Sequence, residues 1–480
     1  MERIRLTYLY LIFSLLIPLS QVVSSEDLNS QLSNNNVKKE NALGSTSLNS
    51  NVPNINDDLD ACDLDEKTNN PETKNSGFFA VFKKIYNKIF NFNSKEDNAP
   101  VILNRCENDL DAYIENIKRV VQDRLGGDWK KICPVLKADA YGHGTMELMK
   151  VINELPITCV GVSTNADIYA ISKAIGRENL AKFTIMRLKS QGVDSIRQIA
   201  VDYNIDVKEV VETVEDLINI MSVAKEIDRP IGVQLRVDLG KQDQFNEMMP
   251  RLKSLEKRKK INIFGIFSHF EREGLEEMKI DLDNFKNRVG NLVNKLGKKV
   301  SDLKIHMASS PQIVADFKES YLDFVRPGTL LYGQPNRNGD VIPGVVPVMK
   351  IMSKISKIDD YKEGEKISYS QKEVKIDSGL KTKRLARIPI GEKFGFKNAT
   401  EVLINGKKYK IYHVENDELY IDLGNDKGIS QGQEVILLGR SGKEEIGYVD
   451  ITQKITPSDR ISYEAGGISF ERRYSKKKCW

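Results

Sequence analysis

The sequence predicts an α/β protein: a (β/α)8 barrel of the TIM type over residues 100–335, followed by a mostly antiparallel β domain over residues 336–480. Three observations carry this. Short apolar runs alternate with stretches of helical period, as parallel strands with helical crossovers require. Eight such units fit into about 235 residues, close to the roughly 250 of a closed barrel. After Gly333 the pattern changes to short alternating runs such as ELYIDLG and EVILLG, separated by Asn-Gly, Gly-Asn-Asp and Gly-Gln turns, the signature of hairpins.

In chain order, the first element lies outside this frame. Glu2, Arg3 and Arg5 precede an apolar stretch from Leu6 to Leu19 and then QVVSS, which reads as a secretory signal peptide over residues 1–25, cut near Ser25. The stretch falls short of the roughly 20 residues that span a bilayer, so an uncleaved anchor is the second reading. Export to the periplasm follows from the first. Residues 26–99 form an Asn-rich tether with too few apolar side chains to offset its ordering entropy. Within it, residues 78–92 place Phe78, Phe82, Ile85 and Ile89 at helical spacing among lysines. Such a segment either lies on an anionic membrane surface or packs on its own domain.

The eight barrel strands are read at 132–137, 157–163, 183–188, 205–211, 231–238, 263–270, 303–309 and 323–333, and the segment around 100–106 has strand character that could join the β domain. A net charge of +4 over 480 residues argues against nucleic acid as a partner. The one short basic cluster, ERRYSKKK at the end, reads as a solvated tail. Of the five cysteines, Cys133 and Cys159 each stand four residues before a strand end, Lys137 and Ser163. Neighbouring strands are about 4.8 Å apart, so this pair should be level and, in an exported protein, bridged. No Cys/His spacing suits a metal.

Barrel enzymes work at the carboxyl ends of their strands. There this chain sets Lys137, Arg187, Asp238, His269, Ser309 with Ser310, and Arg326 with Pro327 and Gly328, with His306 near the same rim. The run KADAYGHG at 137–144 is the most telling: an apolar strand delivers an amine to a glycine-rich turn, where it can form a Schiff base while Tyr141 and the backbone hold an anion.

With VLKADAYGHG, GIFSHF, IHMASS, VRPGTLLYG, PVMKIMSKI followed by ISYS, IPIG and VLINGKKYKI in this order, the chain resembles the alanine racemase family of pyridoxal-phosphate enzymes over roughly residues 100–474. It is most similar to the exported broad-spectrum amino-acid racemase branch. The resemblance implies that Lys137 carries pyridoxal 5'-phosphate. It also implies that Tyr141, Ser310, Gly328 and Thr329 hold the phosphate, that Arg326 faces the pyridine nitrogen, and that His269 orients it. An arginine there keeps the ring nitrogen unprotonated, which makes a weaker electron sink and suits racemisation over side reactions. Tyr369, in ISYS, matches the second base, supplied across a homodimer, and Asn416 falls in the segment near the substrate carboxylate.

The chain also departs from the family. Where the family usually reads VDTGMGR this chain reads VDLGKQD, so Asp243 stands at the position of an arginine that helps fix cofactor and substrate carboxylate, and Arg236 or Lys241 is left to supply that cation. The run after IPIG is GEKFGF, the carboxylate-site segment is VENDEL, and Phe470 replaces a tyrosine. The resulting expectation is an amino-acid racemase, alanine-specific or broad-spectrum, feeding D-amino acids to the cell wall. The alternative is a non-catalytic, cofactor-binding relative of the cell envelope.

Overall fold

The computed structural model describes residues 103–241, 244–272, 274–336, 338–367, 382–451 and 471–476. The signal peptide, the tether, the 78–92 segment, Tyr369, Asp243, Phe470, Cys62 and Cys479 lie outside the described residues.

A parallel sheet runs in strict chain order through β2 (Cys159–Val162), β3 (Thr184–Arg187), β4 (Val207–Val211), β5 (Ile231–Arg236), β6 (Ile261–Phe267), β7 (Lys304–Ser309) and β8 (Phe324–Arg326). Helices cover its outer face, so β2 and most of β5 are buried on both sides, and these strands read as continuous apolar runs rather than alternating ones. At two of the strand-to-helix turns a threonine caps the helix that follows. Thr164 and Asp167 form a reciprocal cap before the helix Asn165–Leu180, and Thr213 and Asp216 do the same before Val214–Val223.

Residues 132–136 close the ring as the eighth strand. They bridge β8 at Val325 and β2 at Gly161, with Cys133 N donating to Val325 O (2.9 Å) and Leu136 N to Gly161 O (2.8 Å). Pro134 has no N–H to give on the β2 side, which thins the ladder there. The Cys133–Cys159 disulfide crosses this same seam, with its Cα atoms 4.8 Å apart, as the strand spacing led us to expect. Closing a loop across a sequence separation of 26 restricts the unfolded chain at a cost of roughly 3–4 kcal/mol in the chain-entropy account.

Inside the barrel, Arg187 is fully buried and gives Nε and Nη2 to the two carboxylate oxygens of Glu209 (2.7 and 3.1 Å), with Nη2 also reaching Asn165 Oδ1 (3.0 Å). The sequence reading set Arg187 among the working residues at the strand ends. Its charge is instead consumed by a structural pair, whose breaking would strand a buried ion.

The second sheet runs β10 (Lys357–Lys362), β11 (Thr382–Ile388), β14 (Leu419–Asp422), β13 (Lys407–Val414), β12 (Glu401–Ile404), β15 (Glu434–Ser441), β9 (Met349–Lys354), β1 (Arg105–Asp109) and β17 (Glu471–Ser475), with β16 (Glu444–Ile446) beside β15. All neighbours are antiparallel except β1 and β17. Ile351, Ile388, Phe396, Val402, Leu403 and Leu438 fill its core at no exposure. Thus both ends of the described chain belong to this sheet. β1 leads directly into the first helix, Leu110–Leu125, and β17 contradicts the reading of ERRYSKKK as a solvated tail.

Candidate active site

Lys137 ends the apolar run 132–136 and opens a turn of unusual hand. Ala138, Asp139, Ala140 and Tyr141 all have φ between 52 and 55°, one turn of left-handed helix built from non-glycine residues. Each such residue costs roughly 1–2 kcal/mol, so the turn persists only because its surroundings fix it. Ala140 N donates to Leu136 O (3.0 Å), Gly144 N to Asp139 O (2.9 Å) and Thr145 N to Asp139 Oδ1 (2.8 Å). His143, fully buried, holds the inner side through Nδ1, which faces the carbonyls of Ala140 (3.1 Å) and Tyr141 (3.0 Å) and must therefore carry the ring proton.

The turn aims two groups at the barrel mouth. The Lys137 amine lies 5.3 Å from the centre of the Tyr141 ring, and the Tyr141 hydroxyl lies against Gly328, where any Cβ would overlap it. Only glycine allows this approach. Ser310, the first residue of the short helix Ser310–Val314 that follows β7, accepts from Gly328 N (3.0 Å) and Leu330 N (3.2 Å), which leaves its own O–H to donate. Thr329, half-buried, begins the short helical turn Thr329–Tyr332 beside it. Lys137, Tyr141, Ser310, Gly328 and Thr329 thus stand around the junction of the first and last barrel strands.

Arg326, at the end of β8, is 5 % exposed. Its Nη2 donates to Ser268 O (2.7 Å) and Met307 O (2.9 Å), and its guanidinium lies 5.2 Å from the centre of the Phe267 ring. Nε is buried and makes no hydrogen bond within the described residues. Burial, and then the charge of Arg236, push this guanidinium down to about 9. It still keeps its proton at neutral pH and presents a cation with an unspent donor.

Beside it opens a cavity of about 400 Å³ lined by Glu212, Arg236, Asp238, Ser268, His269 and Ser309, among others. His269 is exposed here, and the Ser268 and Met307 carbonyls accept from Arg326 beside it. Arg236 Nη1 meets Glu212 Oε2 at 3.0 Å. Glu212 follows the fourth strand's apolar run directly, so the strand-end rule would have found it. Lys241 instead pairs with Asp238 (3.1 Å) and is 62 % exposed. Arg288 fixes the loop between them, donating to the carbonyls of Asp238 and Leu239 (both 2.9 Å).

One expected residue lies below the rim, and another stands on the β domain. His306 is not at the rim: it is fully buried inside the barrel, stacked 5.2 Å from Phe267, with neither ring nitrogen hydrogen-bonded within the described residues. Its position on β7 beside Phe267 of β6 and Phe324 of β8 makes it a core residue. Asn416 is exposed in the loop between β13 and β14, where its carbonyl accepts from Lys393 N (3.1 Å); it belongs to the β domain.

The buried imidazoles give a pH dependence. Burial pushes His143 from its ordinary 6.5 down to about 4 and His306 well below 6.5. Both are neutral in the folded chain and more basic in the unfolded one. The stabilisation from their neutral burial is complete above about 6.5, and for His143 it is lost as pH falls towards 4, by about 3 kcal/mol. Melting temperatures of His143→Gln should therefore fall less steeply than those of the wild type between pH 6.5 and 4. Parallel acid limbs would show that His143 does not contribute.

The chain matches the family descriptions "Alanine racemase, N-terminal domain" over residues 108–335 and "Alanine racemase, C-terminal domain" over 348–475. It is 28 % identical over 388 residues to a broad specificity amino-acid racemase of Vibrio parahaemolyticus, covering 77 % of this chain and 88 % of that one. It is 27 % identical over 361 residues to a lysine racemase of Proteus mirabilis, covering 72 % and 84 %. Among solved structures, alanine racemase from Streptomyces coelicolor superposes with a TM-score of 0.68 at 22 % identity, over 78 % of this chain and 99 % of that one. An alanine racemase from Bartonella henselae with covalently bound pyridoxal phosphate gives 0.64 at 19 %, over 78 % and 99 %.

Proposed function

Because this chain belongs to the alanine racemase family, whose chemistry depends on pyridoxal phosphate, we propose that it interconverts L- and D-amino acids with Lys137 and Tyr369 as the two proton carriers. The observation that carries the reading is the set Lys137, Tyr141, Ser310, Gly328 and Arg326 around one barrel mouth. These residues fit the cofactor. Gly328 provides a cradle that a Cβ would fill, Ser310 an O–H still to donate, and Arg326 a buried Nε with its hydrogen bond unspent. Lys137 would hold the cofactor aldehyde, Tyr141, Ser310, Gly328 and Thr329 its phosphate, and Arg326 its ring nitrogen. When bound, pyridoxal phosphate supplies an electron-withdrawing ring that makes the substrate α-proton removable at neutral pH.

The protein's own part is to place two bases on opposite faces of the substrate Cα. One removes the proton and the other returns one to the far side, so each enantiomer is formed from the other. Lys137 Nζ takes one role. Tyr369, which lies outside the described residues, takes the second, from the partner subunit in a homodimer with shared active sites. Arg236 replaces the cation that the VDLGKQD loop lacks, since it lines the cavity whereas Lys241 is turned to Asp238 and solvent. Asn416 adds a contact to the substrate carboxylate. Residues 1–25 carry the enzyme to the periplasm, where its D-amino acids enter the cell wall.

The test is direct. Purified protein loaded with pyridoxal phosphate is incubated with single L-amino acids, alanine and lysine first, and the enantiomers are resolved. D-product from at least one is expected. Cofactor bound with no D-product from any would reject racemisation and leave the non-catalytic reading.

A further inference from the structure

The left-handed turn after Lys137 has an outer side, and the last strand of the chain holds it. β17 lies parallel to β1, with Arg472 level with Cys106 and Tyr474 level with Asn108. Residues two apart on a strand share a face. On that face Arg472 Nη1 donates to Asp139 Oδ2 (2.6 Å) and to the Tyr474 hydroxyl (3.3 Å), and the same hydroxyl packs onto Gly144, where a Cβ would overlap it. Arg472 and Tyr474 therefore grip the turn at Asp139 and Gly144, on either side of Tyr141. The Asp139 carboxylate is shared between the two structures: Oδ1 takes Thr145 N (2.8 Å) from inside the turn and Oδ2 takes Arg472 from the β domain.

We propose that Arg472 is a positioning residue for the cofactor lysine, acting through Asp139 to hold the turn 138–144 from the C-terminal strand. The proposal rests on the reading of Lys137 as the cofactor-bearing residue. Its logic is that of a strained element. Four consecutive left-handed residues have an easy escape to ordinary backbone, and any such escape would carry the Lys137 amine and the Tyr141 hydroxyl away from Gly328. Misplacement by about 1 Å is enough to cost on the order of a hundredfold in rate. The side chain of Asp139 is 51 % exposed and that of Arg472 21 %, so the pair adds little net stability, and its value lies in the position it enforces. Glycine at 144 is required twice, by its φ of 96° and by the phenol seated on it.

The experiment uses the full chain loaded with pyridoxal phosphate. Arg472→Gln, Arg472→Lys, Asp139→Asn and the double variant Arg472→Gln/Asp139→Asn are compared for the rate at which bound cofactor is lost to a scavenger, read from visible absorbance, and for the melting temperature of the cofactor-free protein. Each single removal should speed cofactor loss about tenfold, one charge-assisted hydrogen bond's worth. The double variant should lose it no faster than either single one, because both break the same link. Arg472→Lys should recover part of the retention, and cofactor-free melting should stay near that of the wild type. Should Arg472→Gln not fold, the near-isosteric Asp139→Asn carries the test alone. Wild-type retention in Asp139→Asn, additive losses in the double variant, or faster loss matched by an equal fall in cofactor-free stability would each overturn the proposal. A wild-type chain that takes up no cofactor would refute the parent reading of Lys137 instead.

Discussion

Replacing Lys137 by alanine should remove both the covalent hold on the cofactor and one of the two proton carriers. The expected loss of racemisation is at least about 10²–10⁴-fold, the range associated with a single general acid–base group. The geometry makes the site intolerant of substitutes. The amine at 137 is delivered by the closing strand of the barrel and by a backbone turn of a hand that consecutive non-glycine residues rarely adopt. An amine supplied by another residue would have to reach the same point beside Tyr141 and Gly328. The visible absorbance of covalently held pyridoxal phosphate should vanish in Lys137→Ala while the barrel still unfolds cooperatively. Persistence of that absorbance would place the attachment on a different lysine and dissolve the assignment of the mouth.

The sequence made the barrel legible because its strands are short, apolar and bounded by caps, which are local signals. All eight runs became strands or, for 132–136, the bridged segment that Pro134 keeps from pairing fully. The residues around the barrel mouth were legible for a different reason: the family resemblance brought them, and periodicity would not have joined Ser310 to Gly328. What stayed hidden depends on partners distant in sequence. Arg187 looked like a working residue until Glu209 appeared beside it on the next strand. His306 shares its strand's apolar period, yet whether a strand residue is at the rim or one level down depends on the stagger of neighbouring strands, here set against Phe267 and Phe324. Arg472 meets Asp139 across 333 residues, and a basic cluster near a chain end carries no local sign of such an encounter. The left-handed turn was invisible too, since Ala-Asp-Ala-Tyr has no residue that announces a positive φ.

Arg236→Gln should raise KM for amino-acid substrates roughly 10- to 100-fold, with a smaller fall in kcat and no change in cofactor retention. A charge-assisted hydrogen bond is worth about 1.5–3 kcal/mol, and each 1.4 kcal/mol is tenfold in affinity. The cavity explains why the burden falls on this residue. Two guanidiniums, Arg236 and the buried Arg326, act on one another across the mouth, and the charge of Arg236 helps push Arg326 down. Glu212 faces Arg236 at 3.0 Å and engages Nη1, so part of the fork is left for a carboxylate entering the cavity. An anion between the two cations would relieve their repulsion, and a neutral amide at 236 would give up that gain while keeping the packing. Lys241 provides the internal control: its ammonium is spent on Asp238 and it is largely exposed, so Lys241→Gln should leave KM within about twofold, as an exposed ion pair worth under 1 kcal/mol allows. A larger KM effect at 241 than at 236 would move the carboxylate site out to the loop, and with it the explanation of how a chain with aspartate at 243 handles an anionic substrate.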